Sequence, residues 1–360
     1  TLTVEPGHYL NVQGDIIVDG NLIVEHQGSI VQTDNNANVV NNGTITVKQT
    51  TPSLGSRDFM ILGSPMSNDT RTGVWGSAFL VLNHHTLNFV PNNDVETAFP
   101  GSENFADDNY NNWMEYNGGI NPGEGYIVRP QAGYGQPGGV FNYTYGQGTL
   151  NNGIVNFNVI YNTPGPTNAD NRNASPNILA NPYPSAISAD DFISANPMIN
   201  EVYFWEHLTP PSPSYPGAGS MNFSMQDISM YNLTGGTAAA NDPGTTTEPN
   251  GIISTGQGFA IKASAAGIAE FNNSMRLLNG NNTLRSASTI TNSLNKERIW
   301  ITLNSINFDL QNTTLLGFSD NATNEIDPGY DSRCLATVMA VYTLLDDGSE
   351  QLGIQSRGKF

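Results

Sequence analysis

The sequence predicts an all-β chain, with N-terminal β-solenoid-like rungs followed by tandem, jelly-roll-like β-sandwich modules. Three observations predict it. Gly (37) and Pro (21) are frequent and charged residues make up only 12%. That composition suits many short strands joined by turns, because Gly tolerates positive φ and Pro presets turn geometry. Short apolar bursts recur through the first fifty residues. Further on, a set of landmarks occurs twice in the same order.

Residues 1–50 carry the bursts Leu10-Asn11-Val12, Ile16-Ile17-Val18, Leu22-Ile23-Val24, Ile30-Val31, Val39-Val40 and Ile45-Thr46-Val47, separated by Gly- and Asn-rich turns. A spacing of about six to eight residues is too short for hairpins with a core of their own. It suits stacked rungs, each burying its apolar residues against the next.

Longer strands follow. Phe59-Met-Ile-Leu-Gly-Ser-Pro65 parallels Asn177-Ile-Leu-Ala-Asn-Pro182, the prolines lying 117 positions apart (182 − 65). Trp113–Asn117 parallels Ile228–Asn232, and Gly123-Glu-Gly-Tyr-Ile-Val-Arg129 parallels Gly256-Gln-Gly-Phe-Ala-Ile-Lys262. We expect two copies of one module, at 51–170 and 171–288. The Gly-x-Gly element reads as a tight turn feeding a strand, with Arg129 or Lys262 on the solvent side. It is no phosphate loop, since no helix pattern or Lys-Ser/Thr follows. Ser188–Ala195 predicts one short helix, with Ser188 as N-cap and Asp190 and Asp191 in the first turn.

Residues 289–360 start a third β module. Strands are expected at Arg298–Leu303, Thr314–Phe318 and Val338–Tyr342, with a hairpin turn at Asp346-Asp347-Gly348. The run from Cys334 reads as a buried strand. A single cysteine forms no internal disulfide.

Together the runs NILANPYPSAISADDFISAN, VYFWEH, ISTGQGFAIKAS and FNNSMR, then RIWITLNS and TLLGFSDNATNEIDPGYD, resemble secreted surface proteins of the type IX secretion system. The likeness is to the region upstream of their C-terminal sorting domain. It implies export to the cell's outer surface, with the secretion machinery as partner, and is nearly silent on activity; the expectation of no enzymatic activity rests on the lack of a catalytic constellation in the residues. The implied sorting domain is expected to be cleaved after export or to lie beyond Phe360. Thr1 is no initiator Met, which fits a processed product or a fragment.

Thirteen basic against 32 acidic side chains leave a net charge of −19. Such a surface repels phosphate backbones, so nucleic acid is not an expected partner. No apolar run reaches the 18 or so residues of a membrane-spanning helix. Other surface proteins or polysaccharide are the expected partners.

Candidate chemistry is sparse. His8, His26, His84, His85 and His207 sit in no Gly-x-Ser-x-Gly or His-Glu-x-x-His setting. His84 and His85 are neighbours on an expected strand and so face opposite sides. The acid pairs Asp107-Asp108, Asp190-Asp191 and Asp346-Asp347 read as turn chemistry. In Asp320–Asp331, the oxygens of Asp320, Asn324, Asp327 and Asp331 have a spacing that can wrap Ca²⁺, or can satisfy the loop's own backbone N–H groups. Tyr134, Tyr145 and Tyr215 are loop aromatics able to stack on sugar rings. The reading is therefore a structural or adhesive surface segment, with a carbohydrate-binding module as the alternative.

Overall fold

The apolar bursts of the N-terminus become seven strands: β1 (Leu2–Val4), β2 (Tyr9–Val12), β3 (Ile16–Val18), β4 (Asn21–Val24), β5 (Ser29–Gln32), β6 (Val39–Asn41) and β7 (Thr44–Thr50). The first four each pair in parallel with the strand three further on: β1 with β4 and β4 with β7, β2 with β5, β3 with β6. Leu2 lies opposite Leu22, and Leu22 opposite Ile45. Parallel partners are thus three bursts apart along the chain. The sequence spacing records the strand, and the pairing repeat is three times longer. Leu22, Val24, Ile45 and Val47 are buried in the stack.

The computed structural model describes residues 1–360 except 100–101, 133–137, 163–170, 243–247, 283–296, 308–309, 337 and 360. The molecule is predominantly β, with 40% strand and 8% helix, and no sheet closes. No described helix is long and apolar enough to cross a membrane.

The next stretch holds β8 (Met60–Leu62), α1 (Arg71–Val74), β9 (Leu80–His84), α2 (Asn93–Ala98), β10 (Trp113–Glu115), β11 (Tyr126–Arg129) and β12 (Asn142–Tyr145). The following one holds β13 (Val155–Val159), β14 (Pro176–Ala180), β15 (Ala186–Ser188), α3 (Ala189–Ala195), β16 (Val202–Trp205), β17 (Ile228–Tyr231), β18 (Gly236–Thr237), β19 (Ile252–Ile253), β20 (Gly258–Lys262), β21 (Gly267–Phe271) and β22 (Arg276–Leu277). The first sheet runs β10-β9-β11-β8 and the second runs β17-β16-β20-β14, with β18 added at one edge. Strand for strand, the order is the same. The match extends outward: β12 pairs with β7, the strand before β8, and β21 pairs with β13, the strand before β14. By pairing, β7 (from residue 44) and β13 (from residue 155) stand in equivalent places beside the two sheets. The strand that ends the rungs thus also pairs with the first copy.

A hydrophobic core crosses that junction. Val24, Ile45 and Val47 of the rungs pack in one cluster with Leu54, Met60, Trp75, Tyr126 and Tyr145. A second core, with Phe192, Phe259 and Phe271, fills one side of the second copy. Its helix α3 starts as the sequence predicts, Ser188 Oγ accepting from Asp191 N–H at 3.1 Å.

The last sheet is β23 (Glu297–Ser305), β24 (Leu310–Ser319), β27 (Gln351–Gly358) and β25 (Ser332–Arg333), with β26 (Thr343–Leu344) paired to β27. The β26–β27 hairpin turns at Gly348, at φ 73°. Two expected strands are absent: residues 338–342 form none, and the strand near Cys334 stops at Arg333. Cys334 itself is buried. Leu315 and Ile354 share a core with Tyr203, Ile228 and Met230 of the second copy.

Candidate functional site

The repeated Gly-x-Gly landmark is where the two copies meet. Gly123 and Gly256 both have positive φ, 83° and 61°, a conformation open to glycine. Each then offers its carbonyl to the other copy. Gly256 O accepts from Gly63 N–H at 2.9 Å, and Gly123 O from Ala180 N–H at 3.0 Å. The bridges are reciprocal too: Leu62 pairs with Gln257, and Leu179 with Glu124. Since Leu62 matches Leu179 and Glu124 matches Gln257, the contact has local two-fold character, like an isologous dimer interface within one chain. The second glycine of each motif permits the approach. A Cβ on Gly125 would stand 2.6 Å from Leu179 O, and one on Gly258 would stand 2.2 Å from Ile61 Cγ2.

The other landmarks hold the rungs. Ile30 N–H donates to Pro184 O at 2.7 Å. Buried Arg276 lies over the Tyr183 ring at 4.8 Å and donates to Ile30 O at 2.5 Å and Asn152 Oδ1 at 2.9 Å. Burial pulls its guanidinium down to about 10. Asn281 Nδ2 donates to Gly28 O at 2.6 Å.

The predicted site residues divide. Tyr134 lies outside the described residues. Tyr145 is fully buried on strand β12, edge-on to Trp75 at 6.5 Å, and burial raises its phenol well above the ordinary range. It is a core residue and no loop platform. Tyr215 is half-buried in the loop 208–222, its carbonyl accepting from Asn222 Nδ2 at 3.0 Å. An exposed loop aromatic that sequence reading missed is Tyr110, 74% exposed at φ 64°. Its N–H donates to Asp107 Oδ2 at 2.8 Å. Its neighbours Asp107-Asp108 gave a turn signal, but nothing local marks which residue of the turn is outermost.

In the acidic loop, Asp331 is buried and accepts from Asp327 N–H at 2.8 Å and Ser356 N–H at 2.7 Å. Asp327 accepts from Thr323 N–H and Oγ1 at 2.5 and 3.0 Å. Asp320 faces solvent beside Lys359 at 3.9 Å, and exposed Asn324 gives its carbonyl to Arg357 at 3.2 Å. The inner carboxylates are thus held by N–H donors, and the outer two groups face away. The four groups are not gathered here into one ring of inward oxygens, the arrangement that Ca²⁺ takes. Among the described residues no three His, Cys, Asp or Glu side chains group to hold a metal.

The histidines are dispersed. His84 is half-buried edge-on to Trp113 at 4.8 Å, and desolvation, helped by His85, pulls it down to about 3. His207 is buried among Phe59, Trp205 and Phe223, 3.4 Å from Asp58. Lys262, expected on the solvent side, is fully buried against Glu103 at 2.8 Å. Strand β20 is central in its sheet and covered on both faces, so its last side chain has no route to water.

No curated protein and no solved structure matches the chain. A family model spans residues 1–360, and the chain belongs to that family, described as Domain of unknown function (DUF8693).

Proposed function

We propose that the chain is an exported cell-surface segment with a structural or adhesive role. One observation carries this reading: the landmark motifs are spent on joining parts of the chain to one another. The Gly-x-Gly pairs lock copy to copy, and the Asn-Pro-Tyr-Pro and Asn-Asn-Ser-Met-Arg runs lock the rungs to the second copy. We read the parallel strands of residues 2–50 as β-solenoid rungs and the two repeated sheets as sandwich-like modules. The acidic, turn-rich composition suits a hydrated outer surface. Export by the type IX machinery rests on the sequence resemblance.

Protease shaving of intact cells tests the reading. In a host with a working type IX system, the chain carrying its sorting region should be shaved from outside. In a host without that system it should be protected. Protection in both would sink the export reading.

Carbohydrate binding is the second reading, favoured by exposed Tyr110 on its strained turn. A polysaccharide pull-down that weakens several-fold in Tyr110→Ala would support it. Equal retention of both chains would remove it.

A further inference from the structure

A buried ionic cluster lies at the end of β20. The polar partners of Lys262 Nζ include Glu103 Oε2 at 2.8 Å, Asn104 O at 2.7 Å and Asn173 Oδ1 at 3.2 Å. The Phe105 ring lies 4.2 Å from the same nitrogen. Lys262, Glu103 and Asn104 are fully buried, and Asn173 is 6% exposed. These groups come from separate parts of the chain: the segment 102–106, the turn Asn171–Ala174 and strand β20.

A lysine amine, a carboxamide and a carboxyl group in a water-excluded pocket form a reactive set. We propose that Lys262 and Asn173 join in an intramolecular amide bond, with Glu103 as the catalytic proton carrier and ammonia as the product released. Burial penalises both charges of the Lys262–Glu103 pair. Passing the proton from Nζ to Glu103 therefore gives a neutral amine with a lone pair beside a neutral carboxylic acid. The lone pair attacks Asn173 Cγ, one bond behind the Oδ1 that it already faces. The acid supports the charge that develops on Oδ1 and delivers its proton to Nδ2. The Nζ–Cγ bond forms, the Cγ–Nδ2 bond breaks, and Nδ2 departs as NH₃ with the proton that Glu103 delivered; Glu103 then takes the second proton from Nζ, so the amide nitrogen keeps one and Glu103 ends as the neutral acid. Atoms and electrons balance with no oxidant, reductant or co-reactant. Holding amine and amide together supplies the effective concentration that a free amide lacks, and excluding water suppresses hydrolysis.

The pocket is arranged for this. Glu103 N–H donates to Cys334 O at 3.2 Å, and Asn104 is fixed through its Nδ2 to Asn92 O at 2.9 Å. The link would tie the turn before β14 to the end of β20, its antiparallel neighbour. It would enclose most of the second copy in a covalent loop and make that copy inextensible under pulling. The inference stands on the pocket alone and does not depend on the export reading.

The test is the intact mass of the purified full chain under denaturing conditions. The expected result is a loss of about 17 Da from the sequence mass, the mass of one ammonia. A proteolytic digest should then yield a branched peptide joining the Asn173 and Lys262 segments, with no cleavage by trypsin after Lys262. Glu103→Gln keeps the side chain's shape and should yield the uncrosslinked mass. Should that variant fail to fold, the wild-type mass still decides. An unshifted wild-type mass with trypsin cleavage at Lys262 would overturn the proposal, leaving a buried structural ion pair. A Lys262 link to Glu103, with loss of water, would also overturn it. Cross-linking that persists in folded Glu103→Gln would remove the assigned role of Glu103.

Discussion

At the scale of residues, two kinds of side chain carry the argument: absent ones and buried charged ones. Gly125 and Gly258 are needed because the neighbouring copy occupies the space where a Cβ would stand. Gly125→Ala and Gly258→Ala should each destabilise by about 1–3 kcal/mol, the usual range for overpacking. Gly14→Ala, with nothing within 4 Å, should stay within about 0.5 kcal/mol. Urea denaturation of the three variants checks this, and equal midpoints would contradict the packing account. Asp331 makes a second prediction. Burial, reinforced by the Asp327 charge, outweighs its two backbone hydrogen bonds and Arg357, and holds its carboxyl up at about 6. The unfolded chain releases that proton near pH 4. Between those values the folded state holds more protons, so the contribution of Asp331 to stability falls as pH rises from about 4 to about 6. The wild type's margin over Asp331→Asn should therefore shrink between pH 4 and pH 7, by up to about 3 kcal/mol. A margin that grows with pH would contradict the burial of this group.

Elements show where local pattern suffices and where it fails. Helix α3 was legible because its cap and first-turn acids are local chemistry. Residues 338–342 form no strand despite their apolar, β-branched character. A strand needs a partner edge, and β27 gives its two sides to β24 and to the short pieces β25 and β26. Strand β23 shows the converse: Ile299, Ile301 and Leu303 are apolar yet 43–51% exposed, because β23 is the outer strand of its sheet. The acidic loop makes a prediction at this scale. Its inner carboxylates are satisfied by Thr323, Asp327 and Ser356 donors, so a chelator should leave the melting temperature unchanged. A fall on chelation would show a bound ion, since a ligand specific to the folded state stabilises it by mass action.

The whole molecule is organised by shared cores. The rungs and the first copy bury Val24, Ile45, Leu54, Met60 and Tyr145 in one cluster. Removing residues 1–50 would expose that cluster and leave β12 without β7. The truncated chain should therefore lose cooperative unfolding or become insoluble, whereas an independent N-terminal domain would leave the remainder's thermal transition in place. Calorimetry of the full and truncated chains distinguishes these outcomes.

By itself the sequence determined the β class, the turn glycines and the α3 cap, because composition and capping are properties of neighbouring residues. Tertiary structure alone decided the rest. It placed Tyr145 and Lys262 inside, since burial depends on what covers a strand. It paired β12 with β7 and β21 with β13, since a partner strand is chosen by the fold. It also brought Glu103, Asn173 and Lys262 within reach of one another, since residues 70 and 89 positions apart (173 − 103 and 262 − 173) meet only when the chain has folded.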